Sequence, residues 1–297
     1  MARGGRPAPE ATLLVRGDRD EGGYDALDGQ HWDEVVDVSS RARHVREAVA
    51  ALGDRAAHWT YVSSMSVYDE DETIGLDETG RLLEPAQDGD EYDYGREKVA
   101  AELAVRTLGE RAFIVRPGLI AGPGDPSDRF GYWTAAADRA GSGPILVPER
   151  GERFVQVIDV DDLAAFLAVE GRRGIVNANG DVHSFQDVLG RIRALTGHAG
   201  ALVEAPDAWL EQQGVQHWMG ERSLPLWLPA GMPGFTRRSN DGYRAAGGVL
   251  RPLDETIRRV RDDELARGVD RERRSGLSRS EELALIDAWR TAGADAR

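Results

Sequence analysis

Cysteine is absent from the 297 residues. The chain therefore has no disulfide, no thiolate metal ligand and no thiol nucleophile, a composition that fits a reducing compartment. Lysine is nearly absent too: of the 37 Lys+Arg, only Lys98 is lysine. No apolar run approaches the roughly 18 residues a membrane span needs, and the amino end shows no signal-peptide core. The expected compartment is the cytoplasm, with no membrane partner. Positive charge is in deficit, 37 Lys+Arg against 52 Asp+Glu, for a formal charge of −15. A nucleic-acid partner needs a basic stripe to track phosphates, and none is visible. The six His are scattered without ligand spacing, so no metal is expected. No G-x-S-x-G turn is present for a serine hydrolase.

What the chain does contain is ordinary for a globular protein of one large or two smaller domains, 41% hydrophobic and 30% charged. Its first half alternates short β-branched runs with helical spacing. Thr12–Val15, Glu34–Val38, His58–Ser63 and Ala112–Val115 read as strands, and His44–Leu52 and Tyr94–Leu108 as helices. The acidic loop 69–91 should run over the surface. Strands alternating with helices of this length indicate a parallel sheet covered by helices. In the second half, a turn-rich Gly122–Asp128 leads to a helix ending near Ala140. Phe154–Ile158 and Gly174–Asn177 read as strands around a helix that Asp159 caps, and further helices fall at Ser184–Leu195, 254–268 and 280–290. Five of the seven Trp (133, 209, 218, 227, 289) follow residue 130; they either pack a domain or line a pocket.

A chain that uses Arg wherever a cation merely needs solvating has kept one Lys, which is either a chance leftover on a helix surface or a site for the cation whose proton affinity is tunable. Lys98 closes Tyr94-Gly-Arg-Glu-Lys98, and i, i+4 spacing on a helix puts the phenol and the amine on one face. A phenol titrates near 10, and an adjacent ammonium favours the phenolate, making Tyr94 a usable acid/base near neutral pH. Tyr92 meets Arg96 at the same spacing and lacks that partner. The strand His58–Ser63 runs into Ser63-Ser64-Met65-Ser66-Val67-Tyr68, placing the Ser64 hydroxyl just past the carboxyl end of a parallel strand, where open α/β sheets bind ligands.

These segments, with Arg116-Pro117-Gly118-Leu119-Ile120-Ala121-Gly122-Pro123-Gly124-Asp125 and Gln156-Val157-Ile158-Asp159-Val160-Asp161-Asp162-Leu163-Ala164, resemble the extended short-chain dehydrogenase/reductase family, in its NAD-dependent epimerase/dehydratase group. The match runs from about Thr12 to Asn177 and more weakly beyond. The resemblance implies a Rossmann-like, doubly wound parallel α/β sheet, formed by residues 1–121 and completed by about 155–178, with a smaller α/β substrate region over 122–297. It implies NAD or NADP as cofactor, a small hydroxyl- or carbonyl-bearing substrate such as a nucleotide sugar, and a homodimer through the helix bearing Tyr94. Tyr94 would be the general acid/base. Lys98 would hold its pKa down and bond the nicotinamide ribose, and Ser64 would hydrogen-bond the reacting group. Asp18 and Arg19 match the family's adenine contact, Val38 and Ser39 end the strand flanking the cofactor, and Pro117, Gly118 and Ile120 would line the nicotinamide. Arg129 and Gln156 are weaker substrate contacts that also fit surface or packing roles.

One family element is not found. No G-x-G-x-x-G or G-x-x-G-x-x-G stands between a first strand and helix, where glycines let the backbone approach the pyrophosphate. The expectation is a sheet incomplete at its amino end, from a start downstream of the real one or from a truncated product. Arg3 and Arg6 fall where the family discriminates the ribose 2′ group and would suit a 2′-phosphate, or are simply a basic end. The alternative to an oxidoreductase or epimerase is a non-catalytic relative, acting as a cofactor-sensing or interaction protein. RNA binding, known in one branch of the family, is disfavoured by the −15 charge.

Overall fold

The computed structural model describes Glu10 and residues 12–295; Arg3 and Arg6 lie outside the described residues. Along the chain run β1 (Trp32–Asp37), α1 (Ala42–Leu52), β2 (Ala56–Val62), α2 (Tyr94–Arg106), β3 (Ala112–Pro117), β4 (Leu119–Ala121), α3 (Gly131–Ala140), β5 (Ile145–Pro148), β6 (Phe154–Asp159), α4 (Val160–Leu167), β7 (Gly174–Ala178), β8 (Val182–Ser184), α5 (Phe185–Thr196), β9 (Leu202–Ala205), α6 (Asp207–Gln212), β10 (Gln216–Trp218), β11 (Ser223–Pro225), α7 (Asp241–Ala245), α8 (Leu253–Arg267) and α9 (Arg279–Asp295). They group into two compact units.

The first unit takes the chain up to Glu70, with Asp77–Pro117 and Leu167–Ala178. Its sheet is wholly parallel, in the order β1-β2-β3-β7. Every residue of β3, Ala-Phe-Ile-Val-Arg-Pro, is buried, as expected of an inner strand covered on both faces. β1 ends the ladder and leaves Val36 half exposed. Register puts Val35, Trp59 and Ala112 in one row, and Asp37, Tyr61, Ile114 and Ile175 in the next. Those rows pack against Val45, Ala48 and Leu52 of α1 and Ala100, Ala101 and Val105 of α2, the 3.6-residue stripes that helical spacing requires. Thr12–Val15 departs from the sequence expectation. It lies outside every named strand, with Leu13 88% exposed and only Val15 packed against the core; so little burial does not offset the ordering of a strand. The acidic loop stays at the surface, tied by a bridge between Tyr68 and Leu82.

The second unit comprises Asp71–Leu76, Gly118–Phe166 and the chain from Asn179 onward. Small ladders build it: β4-β6-β8, β5-β9 and β10-β11. Its core centres on Trp133, whose indole donates to the Pro225 carbonyl at 2.8 Å and whose ring meets Tyr132 and Phe185 edge-on. Trp227 is fully buried, and Trp209, Trp218 and Trp289 pack against the same core, so the carboxyl-half tryptophans are packing residues. Asp159 accepts the Asp161 N–H at 2.9 Å at the start of α4, and Asp161 and Asp162 fill its first turn.

Candidate active site

At the carboxyl ends of β1 and β2 the structure buries the chain's one lysine. Lys98, 3% exposed, donates from Nζ to the Val62 carbonyl at 2.7 Å, where β2 ends, and to the Ser39 carbonyl at 2.8 Å, two residues past β1. Strand ends leave such carbonyls without ladder partners, and an ammonium is suited to collect them. Burial pulls the Lys98 amine down to about 8, against the opposite pull of the Asp37 and Glu102 carboxylates. The ammonium lies 4.8 Å from the Tyr61 ring centre and 5.9 Å from that of Tyr94. Tyr61 shares the corner, its hydroxyl donating to the same Ser39 carbonyl at 3.0 Å.

Tyr94 is the first residue of α2, 41% exposed, behind Asp93, whose carboxylate caps the helix through the Arg96 N–H at 2.8 Å. Next to it, Gly95 sits against the Ser66 backbone. A Cβ there would overlap the Ser66 carbonyl oxygen and come within 2.7 Å of Leu83 Cδ1. The absence of a side chain is what lets the turn Met65–Val67 press onto α2 beside Tyr94 and Lys98. Ser64 begins that turn: its Oγ accepts the Ser66 N–H at 3.1 Å and donates to Ser66 Oγ at 3.2 Å. Ser64, Tyr94 and Lys98 thus belong to one end of one sheet.

Behind them lies a buried polar network that the sequence reading missed. Arg116 of β3 and Glu102 of α2, both about 1% exposed in their side chains, form a bidentate pair at 2.8 and 2.7 Å. Ser63 donates to Glu102 Oε1 at 2.7 Å. Arg116 also donates to the Tyr68 hydroxyl at 2.9 Å, which in turn donates to Asn177 Oδ1 at 2.7 Å. Burial pushes the Glu102 carboxyl up, but Arg116, Ser63 and Arg106 outweigh it and hold the group below the usual carboxylate range. The Ser63–Tyr68 segment is therefore pinned at both ends, by Ser63 to α2 and by Tyr68 to β3 and β7. The available signal was Glu102 four residues after Lys98: an acid on the buried face of its helix requires a partner.

Of the residues expected at the cofactor, Val38 and Ser39 line a polar cleft of about 660 Å³ with Asp20, Ser40, Arg41, Arg43, His44 and Glu97. Arg19 forks onto Asp37 at 3.1 and 2.9 Å and donates to the His44 carbonyl at 2.7 Å and the Tyr24 hydroxyl at 2.9 Å. It thereby fastens the loop after Arg16 to β1 and α1. Asp18 in that loop accepts the Asp20 N–H at 3.0 Å, and Pro117 closes β3. Gly118, Ile120, Arg129 and Gln156 belong to the second unit. There Gln156 spends its amide on the carbonyls of Gly180 and Arg238 and on the Arg238 N–H, while Arg129 lies over the Trp218 ring at 5.3 Å. A smaller cavity of that unit, about 230 Å³ between β5, β9 and α5, holds none of these residues. Among the described residues no group of three or more His, Asp or Glu is placed to hold a metal, and no helix is long and apolar enough to cross a membrane.

No protein-family model matches the chain, and no curated protein does. Solved structures do match. A candidate epimerase from Burkholderia cenocepacia is 23% identical, with 89% of this chain and 88% of that one covered and a TM-score of 0.62. RMD from Pseudomonas aeruginosa, complexed with NADPH, is 16% identical over 84% and 86%, with a TM-score of 0.58. The Bordetella bronchiseptica enzyme WbmG, in complex with NAD and UDP, is 13% identical over 86% and 80%, with a TM-score of 0.59. At such identities the likeness is one of fold: this chain has the Rossmann-like α/β fold of those structures.

Proposed function

We propose that this protein is an NAD(P)-dependent oxidoreductase or epimerase of a small hydroxyl- or carbonyl-bearing substrate, a nucleotide sugar in the first instance. The observation that carries the reading is the burial of the sole lysine on the carbonyls of Ser39 and Val62, one helical turn from Tyr94. Burying an ammonium is costly, and a chain with 36 arginines to choose from gains nothing structural from Lys that is not also paid in desolvation. The tunable amine is what the acid/base reading needs.

The residues present fit the ribose-bearing parts of a nicotinamide dinucleotide, while the glycine-rich turn for its pyrophosphate is not found in the sequence. Polar groups and two arginines line the cleft at the end of β1, and a cation with a third N–H to give stands beside an exposed phenol. A bound nicotinamide supplies or accepts the hydride. Tyr94 takes the proton from a substrate hydroxyl, or returns it to a carbonyl oxygen. Lys98 favours the phenolate by its charge and offers its remaining N–H to a ribose hydroxyl. Ser64, held by the Ser66 N–H, presents its Oγ to the reacting oxygen and orients it. The neighbours that hold NADPH, or NAD and UDP, support both the cofactor class and the nucleotide-sugar class.

The test is binding of NADH and NADPH, followed by hydride exchange with a panel of nucleoside-diphosphate sugars, uridine-diphosphate sugars first. Tyr94→Phe should lower turnover at least about 100-fold, the low end of what a positioned acid/base contributes, and leave cofactor affinity as it was. Turnover surviving Tyr94→Phe overturns the mechanism. Cofactor binding with no turnover on any substrate favours the cofactor-sensing alternative.

A further inference from the structure

Glu97 stands between Arg96 and Lys98 and lines the cleft. Its Oε2 accepts the Ala42 N–H, the first helical residue of α1, at 2.6 Å across 55 residues of sequence. Helices are ordinarily capped by a Ser, Thr, Asp or Asn just before the first turn. Here that place is held by Arg41, which makes no side-chain cap bond and instead lays its guanidinium 4.0 Å over the Tyr92 ring. The cap of α1 is therefore supplied by another helix, through the residue adjoining the candidate catalytic lysine.

Lys98 grips the same corner. Its Nζ holds the Ser39 carbonyl, three residues before Ala42, while the Ser39 N–H goes to Asp37 Oδ1 at 2.9 Å. Two consecutive side chains of α2 thus hold the two ends of the β1–α1 turn. We propose that Glu97 is a positioning residue of this site: by capping α1 from α2 it fixes the Ser39 carbonyl against Lys98, and so fixes where the ammonium stands beside Tyr94. The assignment rests on the reading of Tyr94 and Lys98 given above.

Glu97 acts here through its hydrogen bond and not its charge. The ionisable and charged groups facing Lys98 are Asp37 of β1, already forked by Arg19, Tyr61 of β2, and Tyr94 and Glu102 of α2; Asp37 and Glu102 are the carboxylates whose charge acts on the amine. A Gln at 97 offers a carbonyl oxygen to the same N–H and keeps the clamp, whereas Ala abolishes it. A cap that served α1 alone would change stability and leave Lys98 untouched.

The single lysine makes the test direct, because the full chain grown on ¹³C,¹⁵N-lysine gives one lysine side-chain signal. Its chemical shift and titration midpoint are read in the natural protein, in Glu97→Gln and in Glu97→Ala. Glu97→Gln should reproduce the natural midpoint. Glu97→Ala should lower it by about half a pH unit or more, at least a three-fold change in the proton equilibrium, as the ammonium loses a fixed acceptor. Ala42→Pro removes the donor in place of the acceptor. Proline is accepted at a first helical position after an extended residue, which Arg41 is at φ −108° and ψ 120°, so this variant should shift the midpoint as Glu97→Ala does and guards against misfolding of either one. A natural midpoint in folded Glu97→Ala, or a displaced one in Glu97→Gln, overturns the proposal. Neither outcome depends on cofactor or turnover, so the Tyr94→Phe test stands or falls separately.

Discussion

Gly95 and the Ser66 carbonyl are in such close contact that no Cβ fits between them. This single approach sets the distance between the Ser64 turn and the helix bearing Tyr94 and Lys98. Gly95→Ala should therefore force the backbone at Ser66 or the start of α2 to move, at a cost of about 1–3 kcal/mol, as for other overpacked sites. The higher helix propensity of Ala, worth about 1 kcal/mol on an open helix surface, would stabilise the variant if the contact were loose. Urea denaturation decides by its sign: a stabilised Gly95→Ala shows that the turn does not rest on α2.

Removing one side of the buried Glu102–Arg116 pair leaves the other charged in an apolar setting. Glu102→Ala should cost about 3–5 kcal/mol, the range for an orphaned buried charge. Replacing both by Met should cost markedly less than Glu102→Ala alone, since the desolvation of two ions disappears with their attraction. Equilibrium unfolding of the two variants checks the order. Glu102→Ala and the double variant with equal losses would mean that Arg116 finds other partners and that the pair is not what pins Ser63 and Tyr68.

Periodicity in the sequence located β1, β2, β3 and the two helices of the first unit, because their apolar rows face one core. The same reasoning failed at Thr12–Val15. An apolar run predicts a strand only if something covers it, and Leu13 is left in solvent. The Tyr94–Lys98 pair was legible because i, i+4 spacing is local. Glu102, Arg116, Tyr68 and Asn177 were not, because their relationship spans more than 100 residues and is set by the register of β3 on β7. Gly95 lay in full view inside the motif, but only the proximity of Ser66 gives it a meaning. Arg116, one residue past the strand read as Ala112–Val115, lies inside β3 as a buried partner of Glu102. Small ladders such as β5-β9 pair residues nearly 60 apart, and no local pattern announces them.

The lowered Lys98 pKa makes stability depend on pH in a direction opposite to that of a salt-bridged lysine. Below about pH 8 the amine is protonated in the folded and the unfolded chain alike, and the cost of its burial is paid in full. Between about 8, its value in the fold, and 10.5, its ordinary value, the unfolded chain holds the proton and the folded chain has shed it. The unfolded state then binds more protons, so unfolding free energy rises with pH across that window. The full interval corresponds to about 3 kcal/mol at 1.36 kcal/mol per unit. Buried Tyr61 and Tyr68, whose hydroxyls are raised by desolvation, push the other way once free phenols ionise near 10, so the comparison belongs between pH 7 and 9.5 and against Lys98→Met, in which the tyrosine contribution is shared. Urea unfolding should give a natural-minus-variant difference that grows with pH through about 8. Parallel curves would mean that Lys98 keeps its ordinary proton affinity in the fold. The same loss of charge predicts that any Tyr94-dependent turnover falls on the alkaline side of 8, since the phenolate then loses the cation that stabilises it.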